Sequence, residues 1–475
     1  MPKHTSGLNS SLIVIGLLAT LHCTAPPAAT PPPAADQQLA RDMLKTLVEI
    51  NTTHAHGSTE AAKAIQGWLL AAGFPPDDVV FIAPKDHPTK GNVVVRYRGK
   101  HSGKAILFLN HLDVVEAKPE DWSTDPFTLT EKDGWLYGRG TIDMKDGDAV
   151  MVESLIRLKR ERFRPDHDLI VAFTADEEAG GDSNGPAFLL KSHRDLIDAD
   201  MAVNLDGGGG DIKNGTPLYF EVGTSEKTYV TYTLDTTSPG GHGSLPGPDN
   251  AIYRLADGLG RLEAYQFPVM LTATTRASFD QLATVDPGPN SADLKAVAQP
   301  QPDLAAAARL SRNVRLNALL RTTCVATLIS GGHAENALPQ RARATVQCRM
   351  MPGDTEAHVQ ALLVRVLNDP AIRLTLDAIP IVSPESLPTP QIMGKIAAVA
   401  HSLWPGVPVI PTMATGYSDD RHTRNAGIPS YDVSGVWKDI DENRAHGRDE
   451  RVGANAYDES VEFTYRLMKS LGSSK

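Results

Sequence analysis

The chain has 475 residues, enough for about three ordinary domains or one large domain carrying an insertion. Its composition, 41% hydrophobic and 22% charged, is that of a folded globular protein and excludes collagen-like, coiled-coil and wholly disordered chains. The net charge of −11, without a basic block, argues against a nucleic-acid partner, and three cysteines exclude a disulfide scaffold or a cysteine-rich zinc fold.

In chain order, Lys3 and His4 precede an apolar run over residues 12–21. That run is too short to span a bilayer and has the length of a secretory signal core. A stretch rich in Pro and Ala follows over residues 25–35, so residues 1–35 read as a leader and the mature protein as exported, periplasmic or secreted. Lipid anchoring at Cys23 is not expected, because Leu21 and His22 before it are not the small residues of a lipobox. No later apolar run is long enough for a membrane span. Helical periodicity occupies residues 39–50 and 59–72, with Gly73 as a stop.

Short apolar runs then recur, each ending in polar residues. Residues 92–97 form one. Residues 105–109 run into Asn110-His111-Leu-Asp113, residues 169–173 into Asp176-Glu177-Glu178, and residues 201–205 into Asp206 and four glycines. A helix over 146–160 lies between them. Strands alternating with helices predict an α/β fold with a mostly parallel sheet. Ligands bind such sheets beyond the carboxyl ends of the strands. One carboxylate after a strand is commonly a cap or a turn; three strands ending this way are harder to explain so.

After about residue 219 the texture changes. Residues 227–234 alternate like an edge strand and lead into Gly241-His242-Gly-Ser244. Residues 250–320 read as mostly helix with a Pro-rich interruption near 286–302, 324–350 as a hairpin, 355–368 as a helix, 374–383 as strand-like and 392–403 as a helix. The simplest organisation is a catalytic domain of residues 36–223 and 387–475, split by an inserted lid or dimerisation domain over 224–386. The hairpin would set Cys324 and Cys348 opposite each other, leaving open a disulfide or two free buried thiols.

With so few cysteines, a metal site must draw on imidazole and carboxylate. A dinuclear hydrolytic site needs five such ligands and a carboxylate base. The strand ends supply these residue types, and His446 in a late loop adds a second imidazole.

Five motifs occur in order: His111-Leu-Asp113, Gly138-Arg-Gly-Thr-Ile-Asp143-Met-Lys-Asp-Gly147, Asp176-Glu177-Glu178, Asn204-Leu-Asp206-Gly-Gly, and Ala445-His446-Gly-Arg-Asp-Glu450. Through them the chain, from about residue 40 to 470, resembles the dinuclear zinc metallopeptidases that include aminoacylase, carboxypeptidase G, bacterial dipeptidases and succinyl-diaminopimelate desuccinylase. The resemblance implies two zinc ions per subunit, with cobalt or manganese as alternatives. It makes His111 and Asp206 ligands of one ion, Glu178 and His446 ligands of the other, and Asp143 the bridge. Glu177 matches the general base, and Asp113 the carboxylate that orients a ligand imidazole. His242 resembles a lid histidine that stabilises the oxyanion and, in dimeric relatives, comes from the partner subunit, which implies a homodimer. Asn336, Arg349 and Arg421 match substrate-binding positions, with Gly416 near the pocket wall. Arginine pairs bidentately with a substrate carboxylate.

Two departures stand out. Asp146 replaces the small residue that usually follows Lys145 and is expected to add negative charge near the site. The 250–320 segment is longer than the lid of many relatives. There is no Gly-x-Ser-x-Gly elbow, P-loop or HExxH motif, and glycoside hydrolysis would not explain the two histidines. The expected activity is zinc-dependent hydrolysis of a peptide bond in small peptides with a free C-terminal carboxylate, as a carboxypeptidase or dipeptidase. The alternatives are an N-acyl-amino-acid amidohydrolase using the same metals, or a non-catalytic binding module that keeps the fold.

Overall fold

A computed structural model describes residues 31–101, 103, 105–285 and 288–473. The apolar leader core and Cys23 lie outside the described residues. Helix Ala34–Glu49 begins two residues inside the stretch read as leader, and its buried Asp36 pairs with Arg157 and Arg160.

Ten strands form one large sheet. Its central strands, Ala105–His111 and Leu169–Thr174, are buried along their whole length. A strand covered on both faces needs apolar residues at successive positions rather than at alternate ones, and both strands have them until their carboxyl ends, at Asn110, His111 and Thr174. Alternate side chains feed different layers. Ile106, Phe108, Val171 and Val203 pack with helices Ala34–Glu49, Lys145–Arg160 and Ala454–Leu471, whereas Leu107, Leu109, Ile170 and Ala172 pack on the opposite face with Leu189 and Ile197. Strand Ala105–His111 pairs in parallel with both Leu169–Thr174 and Ala199–Asn204, and Ser430–Asp432 continues the parallel run. The expected α/β architecture is therefore present, with antiparallel pairs at the margins.

A second, four-stranded antiparallel sheet contains, in order, Thr323–Gly331, Arg341–Met350, Thr228–Thr237 and Arg373–Leu376. Burial alternates along Arg341–Met350, because helices Ala251–Ala264 and Glu356–Leu367 cover only one face. Cys324 and Cys348 are direct cross-strand partners and are disulfide-bonded, with Cα atoms 4.1 Å apart. The hairpin reading thus resolves into a bridged pair.

Two local expectations change. The strand read over 374–383 ends at Leu376, and Pro380 and Pro384 beyond it lack the N–H that a ladder requires. The Pro-rich interruption near 286–302 contains a helix, Ser291–Val297. That helix joins Ala273–Val285, Leu304–Leu310 and Val314–Leu320 around Phe279, Leu294, Leu310 and Leu320. These helices sit against the large sheet: Ala273–Val285 packs on strand Val409–Ala414, and Ser278 Oγ donates to the Pro411 carbonyl. No helix among the described residues is long and apolar enough to cross a membrane.

Candidate metal centre

Because the three central strands run parallel, their carboxyl ends meet at one edge. His111 closes the first, Asp176-Glu177-Glu178 follows the second, and Asp206 follows the third. Asp143 arrives from the loop before helix Lys145–Arg160, and His446 from the loop before strand Arg451–Gly453.

These five side chains form two triads sharing one member. His111, Asp143 and Asp206 offer ligand atoms within 4.8 Å of one another, and so do Asp143, Glu178 and His446. His111 Nε2 lies 3.1 Å from Asp143 Oδ1 and 3.8 Å from Asp206 Oδ1. His446 Nε2 lies 3.0 Å from Asp143 Oδ2 and 2.9 Å from Glu178 Oε1. Each Asp143 oxygen thus faces a different imidazole. Two imidazoles and three carboxylates suit two zinc-class dications, with Asp143 between them. The His446 side chain is 54% exposed, so the cluster opens to solvent on that side.

Neighbouring groups brace several of the candidate ligands. Glu450 accepts the backbone N–H groups of Gly140 and Ile142 and pairs with Arg139, fixing the loop that carries Asp143. Two of the sequence motifs therefore brace each other. Asp176 adopts φ 56°, a left-handed turn that Asp tolerates, and is held by Lys90 Nζ at 2.6 Å and Ser183 Oγ at 2.5 Å. Asp113 differs from its expected role. His111 Nδ1 is held by the Asp113 backbone carbonyl at 3.0 Å, whereas the carboxylate stays 3.8 Å away. The carboxylate instead accepts the N–H groups of Glu177 and Glu178, each at 3.1 Å. It holds the turn that presents Glu177 and Glu178.

The electrostatics follow from burying so many carboxylates. Burial works to raise the Asp143 carboxyl, but hydrogen bonds from His111 and His446 outweigh it and hold that group below the usual range. Hydrogen bonds that Asp143 and Glu178 accept raise His446 to about 10. Burial lifts Glu177 well above the carboxylate range, with Asp206, Asp419 and Glu178 adding to it against the opposing pull of His111. Bound dications would pull these carboxyls back down. Burial raises Asp146 to about 8, which favours its neutral form and works against the charge expected of it.

The substrate-side residues fall into two groups. Arg349 and Arg421 both approach one aromatic ring, 5.8 Å and 4.0 Å from the Tyr417 centroid, and Arg349 also covers Tyr229 at 4.7 Å. Buried Arg349 Nη1 has no hydrogen-bond partner among the described residues. Gly416, beside Tyr417, lines the cavity that reaches Asp206, and a Cβ there would meet only open space. His242 and Asn336 lie side by side on the second sheet's loops. His242 pairs with Ala337, and the Gly243 N–H donates to the Asn336 carbonyl at 2.8 Å. Both are exposed, and among the described residues neither contacts the metal ligands.

Sequence reasoning missed Tyr229, Tyr417 and Asp419. Asp419 is buried, bonded by Asn184 Nδ2 at 2.6 Å, and raised to about 7 by burial. Its signal was its place beside Arg421 in the Ser418-Asp-Asp-Arg421 run.

The fold and this donor set define a metal-dependent hydrolase of the dinuclear class. Residues 107–470 match Peptidase family M20/M25/M40, and the chain belongs to that family. It is 30% identical over 382 residues to N-fatty-acyl-amino acid synthase/hydrolase PM20D1 of Xenopus tropicalis, covering 78% of this chain and 73% of that one. It is 29% identical over 392 residues to the probable carboxypeptidase S-like 2 of Dictyostelium discoideum, covering 80% and 74%. The M20 family metallo-carboxypeptidase Sso-CP2 from Sulfolobus solfataricus shares the fold with a TM-score of 0.68 and 18% identity, over 91% of this chain and 99% of that one.

Proposed function

We propose that this enzyme hydrolyses the amide bond next to a free α-carboxylate in small substrates, as a zinc-dependent carboxypeptidase or dipeptidase. The observation that carries the reading is the pair of triads sharing Asp143, with the buried Glu177 beside them. His111 and Asp206 would hold one ion, Glu178 and His446 the other, and Asp143 both. When bound, the two ions would polarise the scissile carbonyl and make water acidic enough to attack.

Glu177 does the proton work. One carboxylate oxygen takes the proton from the attacking water and later delivers it to the departing nitrogen. The carboxylate of Asp113 keeps Glu177 in place by holding its N–H. The unpartnered Arg349 Nη1, with Arg421 over the same Tyr417 ring, would bind the substrate carboxylate. Movement of the small-sheet region, or a second subunit, would bring His242 to the oxyanion and Asn336 to the substrate. Export fits the leader, and the Cys324–Cys348 bond agrees with an oxidising compartment.

A second reading, hydrolysis of N-acyl amino acids, is favoured by the likeness to the Xenopus protein named for them. The zinc-loaded protein assayed on dipeptides, N-acetyl amino acids and their C-terminal amides tests both. Cleavage confined to free-carboxylate substrates supports the proposal. Equal cleavage of the amides contradicts it.

A further inference from the structure

Arg421 and His422 are neighbours on the short helix Asp420–Asn425, and both are half-buried. Adjacent side chains on a helix point to different sides and do not ordinarily meet. Here they do, and Arg421 Nε donates to His422 Nε2 at 3.2 Å. The Arg421 guanidinium also lies 4.0 Å from the Tyr417 ring centroid. An aromatic ring and an imidazole nitrogen thus fix the group together. Among the described residues, neither Nη of Arg421 has a hydrogen bond or an ion pair.

A guanidinium can grip a carboxylate through its two Nη groups or through Nε and one Nη. His422 occupies Nε, which closes the second edge and leaves the Nη pair as the fork. Arg349, 5.8 Å from the same Tyr417 centroid, carries a like charge that pushes an untethered Arg421 toward solvent. The bond to His422 holds it against that push. Burial, with the Arg421 charge adding to it, lowers the imidazole to about 4, which favours the neutral ring whose Nε2 can accept. His422 also lines an outer groove with Ala187, Ile381 and Asn425 and belongs to none of the hydrophobic clusters, so replacing it leaves the sheet packing in place.

We propose that His422 is a positioning residue for substrate recognition, acting through Arg421 to present the Nη edge of that guanidinium to the α-carboxylate of the substrate. The imidazole itself need not touch the substrate. A tethered arginine has already given up rotamer freedom, so less is lost when the carboxylate binds. The inference rests on the free-carboxylate reading above and names a residue that sets it.

The test is calorimetric binding of alanyl-phenylalanine and alanyl-phenylalaninamide to the zinc-loaded Glu177→Ala protein, a readout independent of turnover. The acid is expected to bind about tenfold or more tighter than the amide, because only the acid can take the arginine fork. Adding His422→Phe keeps a ring and removes the acceptor; it weakens the acid about tenfold and leaves the amide within about twofold. Adding His422→Gln, whose Oε1 can stand where Nε2 stood, keeps acid binding within about threefold. In the active enzyme, His422→Phe raises KM for alanyl-phenylalanine about tenfold with kcat within about twofold. An acid preference that His422→Phe leaves intact, a loss shared equally by acid and amide, or a Gln variant no better than Phe overturns the proposal. Equal or undetectable binding of the two probes before His422 is changed rejects the free-carboxylate reading, and this inference falls with it.

Discussion

The Asp113 carboxylate carries two charge-assisted hydrogen bonds, to the N–H groups of Glu177 and Glu178, each at 3.1 Å. Asp113→Asn keeps the size of the side chain but leaves a single acceptor oxygen, and its NH2 then faces one N–H. A hydrogen bond to a charged group contributes about 1.5–3 kcal/mol, so the turn loses about 2–3 kcal/mol. The His111 imidazole is unaffected directly, because the backbone carbonyl of residue 113 holds it. If the loss appears in the transition state, kcat/KM falls by about 30- to 150-fold. The assay is steady-state hydrolysis of an acetyl-amino acid or dipeptide, with zinc content measured on the same sample. Activity within twofold of the unaltered enzyme would refute the reasoning, since the turn would then hold its geometry without the carboxylate.

Other outcomes follow from single contacts. Arg349→Lys removes the planar fork whose Nη1 lacks a partner, and is expected to raise KM for free-carboxylate substrates about tenfold or more with little change in kcat. Loss of kcat alone would point to another carboxylate clamp. Reducing the Cys324–Cys348 bond, which spans 24 residues, removes about 3.5 kcal/mol of loop-closure stabilisation, measurable by urea unfolding with and without reductant. Coincident transitions would contradict this. Burial lowers Lys227 to about 7 from 10.5, while its Nζ donates to the Arg321 carbonyl. Between those pH values the unfolded chain binds more protons, so Lys227 makes stability rise with pH across that window. Lys227→Met abolishes that part of the rise in urea melts at pH 7 and 9, and identical pH slopes for both proteins would refute it.

The candidate metal ligands were legible in the sequence because each closes or follows an apolar strand or sits in an ordered motif. A parallel sheet then forces the strand ends of His111, Glu178 and Asp206 together. What was not legible depends on partners that leave no residue signature. The Asp113 carboxylate grips backbone N–H groups, and every residue but proline offers one. Asp146 reads as a charge in the sequence, whereas its burial in the fold favours the neutral acid, and only packing reveals that burial. Tyr229 and Tyr417 lie far apart in the chain, and the fold sets their rings 6.0 Å apart. The 250–320 region was readable as helical, but the sheet on which it packs was not, since leucines at helical spacing specify burial without naming a partner. The hairpin reading set Cys324 opposite Cys348, and only the fold shows that the two are bonded rather than free thiols.

The central claim is that two ions share Asp143 and that Glu177 moves the proton without holding a metal. Measuring zinc per chain and turnover together on Glu177→Ala tests it most directly. The account predicts two zinc ions per chain, as in the unaltered enzyme, and turnover reduced about 10²- to 10⁴-fold. Near-normal turnover with both ions bound, or loss of an ion on removing Glu177, would contradict it.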